Sequence, residues 1–260
     1  MSVSIADTTP GVGNGTFLNM SFADLSLNEA VAAIDRASKL PTWSYVVTPN
    51  AANMARISGN DVALKSLYSR AHLCLLDSRV IWLAARLSGL RPPRVVPGAD
   101  LVERLFLKAI TSQTSICIVG GSGQAAEVLR SRYEVGKILH INPSMGFWRQ
   151  PDEVERVAAF VVAARANYTF LVVGSPGQEM LAARIAALGS GCGVGICAGA
   201  SIDFLTGAQR RAPRLLQRLA LEWAYRLCRE PRRLAYRYFV ESPKGILMVL
   251  RSAAGLSGGA

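Results

Sequence analysis

Apolar residues follow two rhythms along this chain. Short, nearly continuous apolar runs at 43–47, 73–76, 115–119, 137–141, 169–173 and 194–197 read as strands, each bounded by polar or turn-forming residues. Between and after them, apolar positions recur every three to four residues over 51–58, 80–87, 101–110, 124–133, 153–166, 179–187 and 213–228, which predicts helices. Strands that are apolar throughout must be covered on both sides. The alternation therefore predicts an α/β fold, a Rossmann-like parallel sheet with helices on both faces. In such sheets ligands settle beyond the carboxyl ends of the strands, so the loops that follow the strands are where chemistry is expected.

Composition adds a boundary to this picture. At 260 residues and 50% hydrophobic, the chain has ample material for one large core or for a core with an appendage. No uninterrupted apolar run of the length needed to span a bilayer occurs, so no transmembrane helix is predicted. The first residues have neither the basic nor the apolar stretch of a signal peptide. Residues 1–22 are expected to be a flexible leader, 23–207 the Rossmann-like core, and 208–260 a basic helical appendage that associates with a membrane. The charge motivates that last division. Residues 205–238 hold nine arginines and two glutamates, a net +7 out of the chain's formal +11, interleaved with Leu, Trp and Tyr. A basic, partly amphipathic segment of this kind meets phosphate or an anionic membrane. The five cysteines show no paired spacing and are expected to be mostly buried, reduced thiols, and two histidines without a ligand pattern offer no metal site.

The strand-end loops carry the candidate chemistry. Thr48-Pro49-Asn50 precedes a helix, where Thr48 or Asn50 either caps the helix or presents a polar group to a ligand. Asp77-Ser78-Arg79 also precedes a helix, and Asp77 is either a cap or a carboxylate placed as a general base. Gly120-Gly121-Ser122-Gly123 opens a helix and allows close backbone approach to an anion, but it lacks the full dinucleotide spacing and the lysine of a P-loop. The segments 174–179 and 199–204 bring Gln178, Glu179, Ser201 and Asp203 to strand ends as ligand contacts or as ordinary first-turn and capping groups. There is no DxD pair to hold a metal on a diphosphate and no nucleophile elbow for acyl transfer.

In order along the chain, these residues resemble the WecG/TagA/CpsF glycosyltransferases, glycosyltransferase family 26. The likeness runs from about Tyr45 to Tyr238. It rests on Thr48-Pro49-Asn50, the Asp77 loop, Arg94-Val95, Gly98-Ala99-Asp100, Gly120-Gly121, the segment 174–179 and the segment 199–204. It continues in Arg211-Ala212-Pro213, Leu221-Glu222-Trp223, Arg226-Leu227 and Glu230-Pro231-Arg232-Arg233-Leu234, and the ordered combination is what makes it specific.

The resemblance implies an inverting, metal-independent transfer of a sugar from a UDP-sugar to a sugar on a polyprenyl diphosphate. The setting it implies is cell-surface polysaccharide synthesis at the cytoplasmic face of the bacterial inner membrane, with the protein held there peripherally. Asp77 is then the general base, with Asn50 and Thr48 orienting it or the sugars. Arg79, Arg94, Gly120, Gly121, Gln178, Glu179, Ser201 and Asp203 become substrate contacts, and Arg211, Arg226, Arg229, Arg232 and Arg233 grip diphosphate. Guanidinium groups would neutralise the leaving UDP where a metal otherwise does, so no cofactor is expected. The chain departs from the family pattern twice: Ser78 replaces the glycine usual after the aspartate, and Gly177 replaces the lysine usual before Gln178. The expectation is a hexosyltransferase of exopolysaccharide synthesis; the alternative within the family is transfer of N-acetylmannosamine or its uronic acid. A basic nucleic-acid-binding protein is the alternative of a different class, but no nucleic-acid motif supports it and no nucleic-acid partner is expected. A Rossmann dehydrogenase lacks both its glycine fingerprint and its acidic partner residue here. The sequence leaves the oligomeric state open, a homo-oligomer included. Removing residues after about Gly207 is expected to abolish membrane association and activity while the core stays folded.

Overall fold

The structure is a computed structural model that describes residues 14–58 and 62–255. It begins with an antiparallel pair, β1 (Asn14–Phe17) and β2 (Met20–Ala23), followed by α1 (Leu27–Ala37), β3 (Trp43–Val47), α2 (Ala51–Ser58), α3 (Val62–Ser69) and β4 (Leu73–Cys74). Next come α4 (Arg79–Leu87), α5 (Gly98–Lys108), β5 (Ser115–Val119), α6 (Ala125–Tyr133), β6 (Lys137–Ile141), a 3-10 turn (Phe147–Arg149), α7 (Pro151–Ala164), β7 (Tyr168–Leu171), α8 (Gly177–Leu188) and β8 (Gly193–Cys197). The chain ends with α9 (Ser201–Thr206), α10 (Arg214–Arg218), α11 (Glu222–Arg229), α12 (Pro231–Tyr236), a π turn (Arg237–Glu241) and α13 (Ser242–Ala253).

Six strands form one sheet in the order β4-β3-β8-β7-β5-β6, parallel at every pairing. Side chains along a strand alternate between faces, and the two cores follow that alternation. Val46, Ile116, Ile118, Tyr168, Phe170, Val194 and Ile196 pack with α1, α5, α6 and α9 on one face. Tyr45, Val47, Cys117, Val119, Leu171 and Cys197 pack with α2, α3, α4, α7, α8 and α13 on the other. A Rossmann-like α/β fold covered on both faces is what the apolar strands predicted.

Several elements differ from the sequence reading. Of the expected leader, residues 1–13 lie outside the described residues, whereas β1 and β2 form a hairpin that buries Phe17, Met20 and Phe22. Helix α1 was not foreseen, yet its start carries a legible signal: Ser26 caps the Glu29 amide and Glu29 caps Ser26 in return. Helix α3 was also missed. The strand expected over 73–76 is shorter, with Leu76 forming only an isolated bridge to Val95. The single helix expected over 213–228 is broken into α10 and α11, because Ala220 takes a left-handed backbone (φ 58°).

The C-terminal helices do not hang from the core. Helix α13 lies against α2 and α4, and its Val249 is fully buried in the second core. Gly245 makes this close approach possible, since a Cβ there would sit 2.5 Å from the Ala51 carbonyl oxygen. Arg56 of α2 pairs with Glu241 at 2.8 Å and donates to the Ser175 carbonyl, tying the end of the π turn to the sheet loops. Among the cysteines, Cys74, Cys117 and Cys197 are buried, but Cys192 is half-buried and Cys228 is exposed on α11.

Candidate active site

A cavity of about 750 Å³ opens at the carboxyl ends of β3, β4, β7 and β8. The strand-end loops form its floor and the C-terminal helices its roof. Asp77 lies at the floor. Its amide donates to the Pro49 carbonyl, and its carboxyl accepts from the Gly98 amide at the start of α5. The next residue, Ser78, is the helix cap: its Oγ accepts from the Ile81 amide. Asp77 is thus released from capping, and its carboxyl faces the cavity. A Cβ built on Gly98 would come 3.0 Å from Thr48 Oγ1, 3.4 Å from Asp77 Oδ2 and 3.6 Å from Ser201 Oγ, so three polar side chains converge on one glycine. Two of them are braced by backbone: Thr48 donates to the Cys197 carbonyl at 3.1 Å and Ser201 to the Ala198 carbonyl at 2.5 Å.

Burial at the cavity floor dominates the acidity of Asp77 and pushes its carboxyl up to about 7. The Gly98 amide, Arg211 and Arg237 favour the ionised form, while Glu222 opposes it. A carboxyl that changes charge near neutrality is suited to accept a proton and hold it for one step. Burial likewise raises the half-buried Asp203, which Arg233 partly offsets.

Arginines from the C-terminal helices and from the segment before α10 occupy the roof. Arg211 donates to Asp100, and Asp100 also lies 3.8 Å from Arg79, so one carboxylate spaces two cations. Arg211 Nε is buried without a hydrogen-bond partner and faces Glu222 at 3.9 Å. Arg226 stacks over the Phe204 ring at 5.2 Å, and Arg233 pairs with Glu230. Arg237, at the start of the π turn, lines the cavity with no ion pair among the described residues, and burial pulls its guanidinium below the usual arginine range. A buried cation with no direct ion pair can receive an anion.

Behind the floor runs a buried relay. Tyr68 donates to Glu179 at 2.8 Å, Gln178 Nε2 donates to the same carboxylate oxygen at 3.0 Å, and Gln178 Oε1 accepts from the Gly199 amide at 3.2 Å. Because a carboxylate only accepts, Glu179 dictates which end of the Gln178 amide faces Gly199. The turn that leads into α9, and with it Ser201 and Asp203, is oriented through that bond.

Of the residues expected at the site, Thr48, Asn50, Asp77, Arg79, Gln178, Ser201, Asp203, Arg211, Arg226 and Arg233 line the cavity. Asn50 does both jobs proposed for it: its Oδ1 caps the Ala52 amide while the residue faces the cavity. The others lie elsewhere. Glu179 is buried behind the wall, and Arg94 is held on the far side of its loop by Asp24 and Glu29. Gly120 and Gly121 form the left-handed turn after β5, outside the cavity lining. Arg229 lines a neighbouring recess and Arg232 is exposed on α12. Gly177, where a lysine is usual, has no room for a side chain: a Cβ would come within 2.6 Å of the Trp148 ring. Gly98, Asp100, Tyr68, Glu222 and Arg237 are site or supporting residues that the sequence reading did not single out. Gly98, Asp100 and Glu222 were visible only as matches to a pattern, and Arg237 only as one more arginine in a basic run.

A parallel sheet with a carboxyl at its strand ends and arginines closing over it defines a Rossmann-like protein with a small-molecule-sized cavity at its strand ends. A profile of the Glycosyl transferase WecG/TagA/CpsF family matches residues 16–258, and the chain belongs to that family. It is a glycosyltransferase. No helix among the described residues is long and apolar enough to cross a membrane.

Proposed function

We propose that the protein transfers a hexose, with inversion, from a UDP-sugar to a sugar carried on a polyprenyl diphosphate, as a step in bacterial exopolysaccharide or other cell-surface polysaccharide synthesis. The observation that carries this reading is the placement of Asp77: a carboxyl with acidity near neutrality, at the floor of a 750 Å³ cavity roofed by Arg211, Arg226, Arg233 and Arg237. The acceptor hydroxyl attacks the anomeric carbon, the bond to the UDP oxygen breaks, and Asp77 takes the hydroxyl proton. The roof arginines meet the negative charge that develops on the departing diphosphate. Thr48, Ser201 and Asn50 hold the floor and offer polar groups to the sugars. The cytoplasmic face of the inner membrane is the proposed setting. It is supported by the exposed apolar residues on the C-terminal helices, including Leu215, Leu219, Tyr236, Phe239 and Leu250.

The test is transfer from UDP-glucose, UDP-N-acetylmannosamine and its uronic acid to short-chain prenyl-diphosphate-linked sugars. Wild type should transfer from one of them, and Asp77→Asn should lose about 100- to 10,000-fold in kcat. Absence of transfer by wild type, or full activity in Asp77→Asn, would reject the reading. Transfer of the amino sugar in preference to glucose would reject the hexose assignment alone.

A further inference from the structure

Beside the main cavity lies a smaller recess of about 240 Å³, formed between the end of α9, the segment that follows it and α11. The two spaces share Phe204, Gln209 and Arg226, so a single wall separates them. The recess has its own cations in Arg210, Arg226 and Arg229. Its one carboxylate, Glu230, is paired with Arg233, and the nearby Arg226 and Arg229 help keep it ionised. None of Arg210, Arg226 and Arg229 has an ion-pair partner among the described residues. Arg226 is held in place by its stacking on Phe204.

Size separates the two spaces. Small-molecule sites usually run from about 300 to 1,000 Å³. The main cavity falls within that span, whereas the recess admits a phosphate or diphosphate group but not a nucleotide sugar. A transfer between two diphosphate-bearing substrates needs two anion sites, close enough for the sugars to meet and each with its own cations to offset the repulsion. We infer that the recess is the subsite for the diphosphate of the lipid-linked acceptor, with Arg210 and Arg229 reserved for it and Arg226 standing between the two substrates. This inference rests on the reading under Proposed function. It assigns Arg229 to the acceptor and adds Arg210, which no motif marked.

Binding is measured without turnover, on the full-length protein saturated with UDP, using farnesyl diphosphate as the probe. Wild type should bind the probe together with UDP. Arg210→Ala/Arg229→Ala should weaken the probe at least about tenfold while UDP binding stays intact, as expected for loss of charge-assisted contacts. Both positions are exposed, and an unchanged melting temperature checks that the double variant folds. Arg237→Ala should show the reverse pattern, weakening UDP and sparing the probe. Displacement of the probe by UDP, or full probe affinity in the double variant, would overturn the subsite. So would a double variant that keeps the probe but loses binding to phosphatidylglycerol vesicles, since the recess would then serve membrane headgroups. Failure of wild type to bind UDP or to transfer any sugar would count against the Proposed function instead, because the probe measurement does not depend on transfer.

Discussion

Asp77 carries a signature that can be measured in two independent ways. Its ordinary value is 3.8 and its folded value about 7, so between those pH values the folded protein holds a proton that the unfolded chain has lost. The buried carboxyl therefore costs stability as pH rises through that window, and the full cost is present above about pH 7. Asp77→Asn should melt several degrees above wild type at pH 8, and the gap should close below about pH 4. As the proposed base the same group has to be ionised, so kcat should rise with pH through about 7. Arg237→Ala removes a cation that favours the carboxylate and should move that limb to higher pH; Glu222→Gln should move it lower. Glu179 makes a different residue-scale prediction, because it acts only through Gln178. Glu179→Gln lets the Gln178 amide turn over and should lower kcat by about tenfold with donor KM little changed. Tyr68→Phe, which removes only the outer bond of the relay, should do so less.

At the scale of elements, the roof depends on how α13 sits on α2. Gly245 against the Ala51 carbonyl and the Arg56–Glu241 pair hold that contact, and the π turn between α12 and α13 delivers Arg237 to the cavity. Wide turns of this type reshape a helix locally, and they recur at functional sites. Gly245→Val forces a side chain into a space of backbone contact and should destabilise by about 1–3 kcal/mol. It should also raise the KM for donor by lifting Arg237, read by chemical denaturation and steady-state kinetics. The break at Ala220 has a similar consequence. A continuous helix over 213–228 would have pointed its arginines along one stripe, whereas the left-handed residue turns Glu222, Trp223 and Arg226 towards the cavity. Helical periodicity is preserved on both sides of such a break, so it leaves no trace in the pattern of apolar positions.

For the whole molecule, the question is whether the basic C-terminal segment is separable. With Val249 and Leu234 buried and α13 covering α2 and α4, removal of residues after Gly207 would uncover apolar surface from Ala51, Met54, Ile81 and Ala85. The truncated chain should melt lower and aggregate, as followed by light scattering during a thermal ramp, rather than persist as an intact core. The outer side of the same helices exposes Tyr236, Phe239, Leu247 and Leu250. With the neighbouring arginines, this side should bind vesicles rich in phosphatidylglycerol. Cosedimentation should fall with added salt and drop further in Phe239→Ser/Leu250→Ser.

The apolar rhythm by itself determined the α/β class and the boundaries of β3, β5 and β6, because strands covered on both faces are largely apolar, with Lys137 exposed on the edge strand β6. The strand-end rule then placed Thr48, Asn50, Asp77, Gln178 and Ser201 around one cavity. Their convergence on Gly98, and the acidity of Asp77, came only with tertiary structure, since burial and long-range partners set both. The same holds for Glu179 and Arg94: their chemistry was legible, but which way each side chain faced depended on Tyr68, Asp24 and Glu29, far away along the chain. Charge counting located the arginines of the last helices, and packing alone sorted them into roof, recess and solvent.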